Sequence, residues 1–512
     1  MKKNLFWKYF LVIVLLIFSL FLRVNSFNSP FERDEGEYSY SAWILKEGLV
    51  PYRDAFLQKP PMIIYTYYLG QILSPKGLWP PRLLGLLFTV GSSILLGLII
   101  KKEFNDNRAA ILSMFLCSLM LAFPYFMGFS ANTETFMLLP FMGVLTLFGY
   151  YRSSLKGKYF FWAGVLASLA LGYKPICLYA LVVIFICWLI NLWRINKSLV
   201  LIVRSMLLFI LGGLIAASIQ LIPFEIKGVF GYFWETAVAF NILYSKMWGW
   251  GLTNLIRQLE LIIKHWWIIL PFFGWFFLMK NSRKWFYVIL LLSCLLGVYQ
   301  SPIGHYYLFL MPAMALMVSV GFSNLIKFVE NKIPFLLASL ILVVFLLAPS
   351  IKQFSLTPEE INTWVYGTVN PFSEATLVAD KLADITKPDD KVFIAGSEPE
   401  ILFYAQRKSV SRFVITYPLI MDTPKRLDYQ KEAINELKNN PPRAIVYSLR
   451  EQSGLWNEES PKLFIEFLDS LIAKDYQLVG GYVWEREKGY WEDSLPIENK
   501  NFASLLLYSR KD

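Results

Sequence analysis

Charge is scarce in this chain. Charged side chains occupy 17% of its 512 positions, whereas soluble globular domains carry about 25%. That shortage excludes a water-covered surface over the whole length. With 56% hydrophobic residues, much of the exterior must face lipid. Cysteine is scarcer still. Cys117, Cys177, Cys187 and Cys294 all fall inside apolar runs, so no disulfide framework supports the polar C-terminal third, and their spacing matches no metal site. They read as small apolar residues of a lipid-embedded bundle. There is no internal repeat, no low-complexity tract, and no Gly-rich phosphate loop or nucleophile elbow in the C-terminal third. Acid is short relative to base, 38 against 49, for a net charge of +11. An excess of that size suits either nucleic acid or a membrane surface, and its distribution decides between them.

What the chain has in abundance is long apolar runs. A bilayer is crossed by about 17–25 apolar residues, and eleven spans are expected: 5–23, 82–100, 109–127, 133–151, 159–173, 175–193, 199–222, 258–279, 284–300, 305–326 and 333–350. In the first, Lys2, Lys3 and Lys8 are followed by the apolar run 9–22 with no small-x-small cleavage site after it, so it reads as an uncleaved transmembrane helix. Tyr173-Lys174-Pro175 interrupts the fifth and sixth, as proline ends or kinks a helix; two short spans and one broken element are both compatible with the pattern. The basic residues collect in short linkers: Lys101, Lys102 and Arg108; Arg152 with Lys158; Arg194 with Lys197; Lys280 with Lys284; Lys327 with Lys332. The positive-inside rule puts these linkers and the N-terminus in the cytoplasm. Segments 24–81, 128–132, the Lys174 turn, 223–257, 301–304 and the C-terminal region then lie outside. The basic excess is thus largely topogenic, and nucleic acid is not an expected partner.

Beyond about residue 355 the apolar runs shorten to strand length, at 391–395, 412–417, 443–449, 477–484 and 504–509. Helical patterns lie between them, at 373–386, 398–406, 424–439 and 460–474. Strands alternating with helices predict a small α/β domain, with a closing antiparallel pair around Gly480-Gly481. The expected division is a transmembrane domain over 1–355 and an outer α/β domain over 356–512, the latter serving as a lid or scaffold.

The first outer segment, 24–81, is long for a connector. It opens with Glu32-Arg33-Asp34-Glu35-Gly36-Glu37-Tyr38, continues as an amphipathic helix over 38–47 whose Tyr40 and Trp43 suit a membrane interface, and reaches Lys59-Pro60-Pro61-Met62. Two carboxylates near a fixed lysine can pair a general base with an anion receptor. They can equally well cap the next helix. Other outer-side groups tip the balance: Asn132-Thr133-Glu134 at the start of a span, Lys174 between two apolar helices, and His305-Tyr306-Tyr307 at the start of another. Each alone could be an interfacial side chain. Together they place costly ionisable groups at one membrane face, where such groups tend to be functional.

These residues carry a resemblance. Arg33-Asp34-Glu35-Gly36-Glu37-Tyr38, Pro51-Tyr52-Arg53-Asp54-Ala55-Phe56 and Lys59-Pro60-Pro61 resemble the start of family 39 glycosyltransferases, relatives of the protein mannosyltransferases and of the lipid A aminoarabinose transferase, whose membrane fold is called GT-C. Asn132-Thr133-Glu134, Gly172-Tyr173-Lys174-Pro175 and Gly304-His305-Tyr306-Tyr307 are similar to that group's later outer-side motifs. The resemblance implies a polytopic GT-C fold over about residues 1–350. It implies inverting transfer of a sugar from a polyprenyl-phosphate carrier to a lipid, glycan or protein acceptor. It also implies roles: Asp34 as base, Glu35 orienting it or binding sugar, Lys59 with Arg82, Lys174 and His305 on the donor phosphate, and Arg33, Glu37, Tyr38, Glu134 and Tyr306 toward sugar or acceptor.

Two departures accompany the resemblance. The spans are somewhat fewer than in the better-known relatives, and no outer loop holds a D-x-D motif. A nucleotide-sugar donor held through a metal is therefore not expected, while a divalent cation at Asp34, Glu35 and Glu134 remains an option, hard cations wanting several oxygens. A transporter or flippase of a lipid-linked or polyanionic solute is the competing class and predicts an ionisable path through the bundle. A non-catalytic scaffold would leave the membrane-edge charges without a purpose. Trp248, Trp250 and Tyr244 in 223–257 are stacking candidates for a sugar or prenyl chain, or interfacial anchors.

Overall fold

The computed structural model describes residues 2–248, 284–299, 303–326, 332–454, 460–485, 488–493 and 503–511, with isolated positions 256, 259, 260 and 495. The span expected at 258–279, Trp250, Lys280 and Lys327 lie outside these residues, as do the side chains of Trp248 and Lys332.

Helix α1 (Lys2–Phe21) enters a bundle formed by α4 (Trp79–Phe104), α5 (Asn107–Met120), α6 (Thr133–Tyr151), α7 (Lys158–Leu171), α8 (Leu178–Asn196), α9 (Leu199–Ile226) and helices at Lys284–Val298, Met311–Leu325 and Lys332–Leu347. Among the described residues six helices are long and apolar enough to cross a membrane, and five more are apolar but shorter. The chain is an integral membrane protein. α4 shows how the sequence sets an element's limits. Pro80 and Pro81 sit in its first turn, where a missing N–H is no loss. Asn105 ends it in the left-handed region at φ 52°, and Asp106 immediately caps α5 by accepting from Arg108 N and Ala109 N at 2.9 and 3.0 Å. The helix at Gly304–Leu325 and α6 are the most enclosed, whereas α9 and 334–355 turn most of their apolar surface outward. α7 and α9 run closely together because Gly164 and Gly212 each face a backbone carbonyl of the other helix, the small-residue contact that membrane helices favour. The Tyr173-Lys174-Pro175 break resolves into two helices, α7 and α8, joined through a 3₁₀ turn at Pro175–Cys177.

Segment 24–81 is not an open connector. It folds into α2 (Arg33–Lys46) and α3 (Met62–Leu73). At about 18 Å, α3 is too short to span. The helix expected from Tyr38 begins five residues earlier, at Arg33, because Glu32 caps it.

The C-terminal region forms a six-stranded sheet of order β2-β1-β3-β6-β4-β5, with β1 Lys391–Ala395, β2 Lys408–Ser409, β3 Ala444–Ser448, β4 Tyr476–Glu485, β5 Lys488–Asp493 and β6 Ala503–Arg510. β1 pairs β2 and β3 in parallel, and the other pairings are antiparallel. The closing pair at Gly480-Gly481 is present, as are the four expected helices. The strand expected at 412–417 is not. The parallel strand there is only Lys408–Ser409, because the following chain leaves the sheet to pack on segment 24–81, where Arg412 O accepts from Phe56 N at 2.6 Å. β5 was not expected.

α2 is the seam between bundle and sheet. Phe31, Tyr40, Trp43, Ile44 and Ala55 share one apolar cluster with Val378, Ile401 and Leu402, and the Tyr40 hydroxyl accepts from Ser409 N at 2.9 Å. Tyr40 and Trp43 are thus buried against the C-terminal region and are not membrane-interface anchors, a correction that follows from their apolar neighbours there. Tyr244 likewise packs against the C-terminal cluster around Phe413 and Tyr429, and stacks on Phe240 with centroids 6.5 Å apart.

Candidate active site

The local fold at the start of α2 separates two adjacent acids. Glu32 is the N-cap, and its carboxylate accepts from Asp34 N at 3.0 Å and Glu35 N at 3.2 Å. Asp34 is thereby spared the capping role. Glu35, one position on, faces a different side of the helix. Its carboxylate takes a bidentate pair from Arg82 at 3.0 and 2.6 Å and accepts from Ala131 N at 2.8 Å. Arg82 also donates to the carbonyls of Ser26, Phe27, Ser29 and Pro30. Both side chains are sealed from solvent. The expectation that Glu35 orients Asp34, and that Arg82 reaches a phosphate, is corrected here: their groups are consumed in tying α2, α4 and the turn before α6 together.

Asp34 instead belongs to a chain of closely spaced ionisable groups. Its Oδ2 lies 3.6 Å from Lys59 Nζ and 3.9 Å from His305 Nε2. His305 Nε2 is 3.7 Å from Glu134 Oε1, which in turn pairs with Lys174 Nζ. Lys174 Nζ sits 3.4 Å from the centroid of the Tyr306 ring, a cation–π contact. Five separate stretches therefore meet: α2, the Lys59 loop, the first turn of α6, the Lys174 break and the 3₁₀ turn Gly304–Leu310. The order of exposure decides what a ligand meets. The Asp34 and Lys59 side chains are 21% and 15% exposed, Lys174 and His305 7% each, and Glu134 not at all. Glu134 is the internal counter-charge of Lys174, also accepting from Thr133 Oγ1 at 3.0 Å, and does not face outward as a sugar contact would.

The electrostatics follow from this geometry. Burial alone would raise the Asp34 carboxyl, but Lys59, His305, Lys174 and Arg33 outweigh it and hold the group down at about 2. Lys59 is the mirror case. Burial disfavours its charge, yet Asp34 first and then Tyr306, Glu37 and Glu134 push it above the ordinary lysine range. Burial pushes Glu37 up to about 8, Lys59 pulling against that rise and Asp34 adding to it. At neutral pH the accessible edge is a carboxylate beside an ammonium, with a neutral carboxyl behind. Glu37 Oε1, the Tyr38 hydroxyl and both amide atoms of Asn132 are buried and find no partner among the described residues, an uncommon state for buried polar atoms.

Arg33 does not join the cluster. Its guanidinium donates to Ser397 O at 2.7 Å, Asn370 Oδ1 at 3.2 Å, Gln452 O at 3.4 Å and the Tyr417 hydroxyl, and lies over the rings of Phe372 and Tyr417. It fastens α2 to the C-terminal region. Asp34, Glu35 and Glu134 do not converge either, and among the described residues no three His, Cys, Asp or Glu side chains are grouped to hold a metal. Tyr52, read from the sequence only as part of the Pro51–Phe56 motif, and Asn241, not singled out there, hold the loop at Lys59. Spacing carries no sign of them.

The Pro-rich loop, the α6 motif and the Lys174 break fall inside residues 58–222, which match the family described as dolichyl-phosphate-mannose-protein mannosyltransferase. ArnT from Cupriavidus metallidurans bound to undecaprenyl phosphate superposes with TM-score 0.55 over 98% of this chain and 98% of its own, at 14% identity. Its apo state gives 0.55 over 99% and 98%, at 13%. This chain has the GT-C membrane fold. A third GT-C structure, the Archaeoglobus fulgidus oligosaccharyltransferase tethered to an acceptor peptide containing the NVT sequon, gives 0.52 over 96% of this chain and 75% of its own, at 13% identity. A search of curated proteins gave no match.

Proposed function

We propose that the protein is an inverting glycosyltransferase that moves a sugar from a polyprenyl-phosphate carrier to a lipid, glycan or protein acceptor at the outer face of the membrane. The observation that carries this reading is the meeting of Asp34 with Lys59, Lys174 and His305 at one end of the bundle. A lipid-linked donor must be met where membrane and water adjoin, which suits a site built from bundle ends.

In this mechanism Asp34 takes the proton of the acceptor hydroxyl, the acceptor oxygen bonds to the anomeric carbon, and the bond from that carbon to the phosphate oxygen breaks on the opposite face. The phosphate stays on its carrier, and Lys59 with Lys174 stabilises its charge. A carboxylate held near 2 is a weak base. The entering phosphate competes for the same cations, which loosens their hold on Asp34 and raises its basicity where it is needed. Glu37 and Tyr38, buried beside Asp34 with unfilled hydrogen-bonding capacity, are suited to sugar hydroxyls.

The organisation that goes with this reading is a transmembrane catalytic unit over 1–355 and an outer α/β unit over 356–512, with the N-terminus in the cytoplasm. Lys101, Lys102, Arg108, Arg152, Lys158, Arg194 and Lys197 all fall at helix ends opposite the cluster, as the positive-inside rule requires. A transporter needs charge along its path. Among the described residues the buried ion pairs of the bundle stand toward its two ends, Glu103 with Arg152 at one and the Asp34 cluster with Glu35–Arg82 at the other, and the buried Arg23 donates to Leu121 O and Thr89 Oγ1. The test is transfer in proteoliposomes with a panel of polyprenyl-phosphate sugars, together with mass spectrometry of envelope glycans and lipids from cells with and without the gene. Loss of one glycan species and of transfer with Asp34→Asn is expected. Undiminished transfer by that variant rules out the assigned base.

A further inference from the structure

Lys59 stands in a stretch with no regular secondary structure, between Asp54 and Met62, and is followed by Pro60 and Pro61, which have no N–H to donate. A lysine on such a segment would ordinarily wander. Here two successive carbonyls are each held by a side chain from elsewhere. Gln58 O accepts from Asn241 Nδ2 at 2.5 Å, and Lys59 O accepts from the Tyr52 hydroxyl at 3.1 Å. We infer that Tyr52 and Asn241 are positioning residues that fix Lys59 as the receptor for the donor phosphate, an inference resting on the function proposed for Lys59.

Three features set these two contacts apart from incidental ones. Tyr52 adopts φ 77°, a conformation unfavourable for a bulky side chain and found disproportionately at functional sites. It is kept there by Tyr52 N donating to Ala55 O at 2.8 Å and by edge-on packing of its ring against Phe224 and Phe233, with centroids 5.0 and 5.2 Å away. Asn241 follows a π-helical turn, Trp234–Ala239, a rare form that collects at functional sites. The second contact of its amide is to Ala237 O at 2.9 Å, so the side chain is oriented by its own helix. Finally, the turn before Asn241 and the Lys59 loop are themselves anchored. Glu235, in the same π turn, lies 3.5 Å from Arg412 and 3.3 Å from Lys425. Just beyond the prolines, Met62 N donates to Gly172 O at 3.0 Å, which ties the Lys59 loop to the break carrying Lys174. The two lysines are thereby held at a set separation, as a pair acting on one phosphate requires.

The experiment measures binding of a polyprenyl monophosphate, and donor KM and kcat, for the full-length protein in detergent or proteoliposomes. Tyr52→Phe, Asn241→Leu and Asn241→Gln are compared in the wild-type and Lys59→Ala backgrounds. Removing either hydrogen bond is expected to weaken phosphate binding by about three- to tenfold, to raise donor KM more than acceptor KM, and to leave the thermal midpoint unchanged. Asn241→Gln, which can still donate, should recover part of the loss. In the Lys59→Ala background the same changes should add nothing, since what they position is gone. Weakening of equal size in both backgrounds, or none in the wild-type background while Lys59→Ala does weaken binding, overturns the positioning role but leaves the function of Lys59 intact. A wild-type protein that binds the phosphate no better than Lys59→Ala overturns both.

Discussion

Glu35 and Arg82 form a bidentate ion pair of 3.0 and 2.6 Å that is closed to solvent, and Arg82 satisfies four backbone carbonyls besides. Removing one partner leaves the other charge buried and unpaired, at a cost of about 3–5 kcal/mol. Glu35→Ala and Arg82→Ala should therefore lower the thermal midpoint in detergent sharply and reduce the yield of folded protein. Arg82→Ala protein that is stable but selectively impaired in donor binding would restore the phosphate role that the structure denies it.

Asp34 presents the opposite case. It caps nothing, is partly exposed, and lies between Lys59 and His305. Asp34→Asn is nearly isosteric and should leave folding unchanged while lowering kcat by about 10²–10⁴, the usual worth of a positioned proton acceptor. The variant should still bind polyprenyl phosphate, more tightly if anything, because a competing anion has been removed.

The two lysines should separate by phenotype. Lys59→Met removes an ammonium that solvent partly reaches, so donor KM should rise with little change in stability. Lys174→Met strands the fully buried Glu134 carboxylate, so both stability and activity should fall. Adding Glu134→Gln to Lys174→Met should recover the stability but not the activity. Thermal unfolding and steady-state kinetics on the three variants decide this.

Glu37 gives the pH dependence a sign. Its carboxyl is pushed up to about 8, so it is neutral at pH 7 and gains negative charge as pH rises through 8. That charge appears beside Lys59, the residue proposed to receive the donor phosphate. Donor KM should therefore increase between about pH 7 and 9, and Glu37→Gln should flatten the rise. Asp34, held near 2, stays ionised throughout that window and contributes nothing to it. A KM that rises equally in both proteins places the titration elsewhere.

Gly36 lets α2 approach the C-terminal region. A Cβ there would stand 2.7 Å from both Glu400 Cβ and Glu400 N, and the latter is backbone that cannot swing aside. Gly36→Leu should push α2 away, break the Arg33 contacts to Ser397 and Asn370, and move Asp34. Loss of transfer with raised protease sensitivity after about residue 355 is the expected pattern, and full activity would show that the C-terminal region has no part in placing the site.

Much was legible in the sequence because membranes impose simple rules. Apolar length marks α4, α6, α8 and α9, basic linkers mark one set of ends, and the short strand-like runs after residue 355 mark β1, β3, β4 and β6. The candidate acids and bases were legible too, since ionisable groups at membrane edges are costly to keep. Their partners were not. Asp34 and Glu35 are neighbours with the same chemistry, and nothing in their order says that one meets Lys59 and the other Arg82. A helix sends successive side chains about 100° apart, and only the packing around α2 decides which direction faces a cleft and which a clamp. The same holds for Arg33, Tyr52 and Asn241. The contacts of the first cross more than 300 positions of chain, and the contact of the last crosses more than 180. Composition and periodicity set which elements form and where charge collects. Tertiary packing alone determined which charges meet.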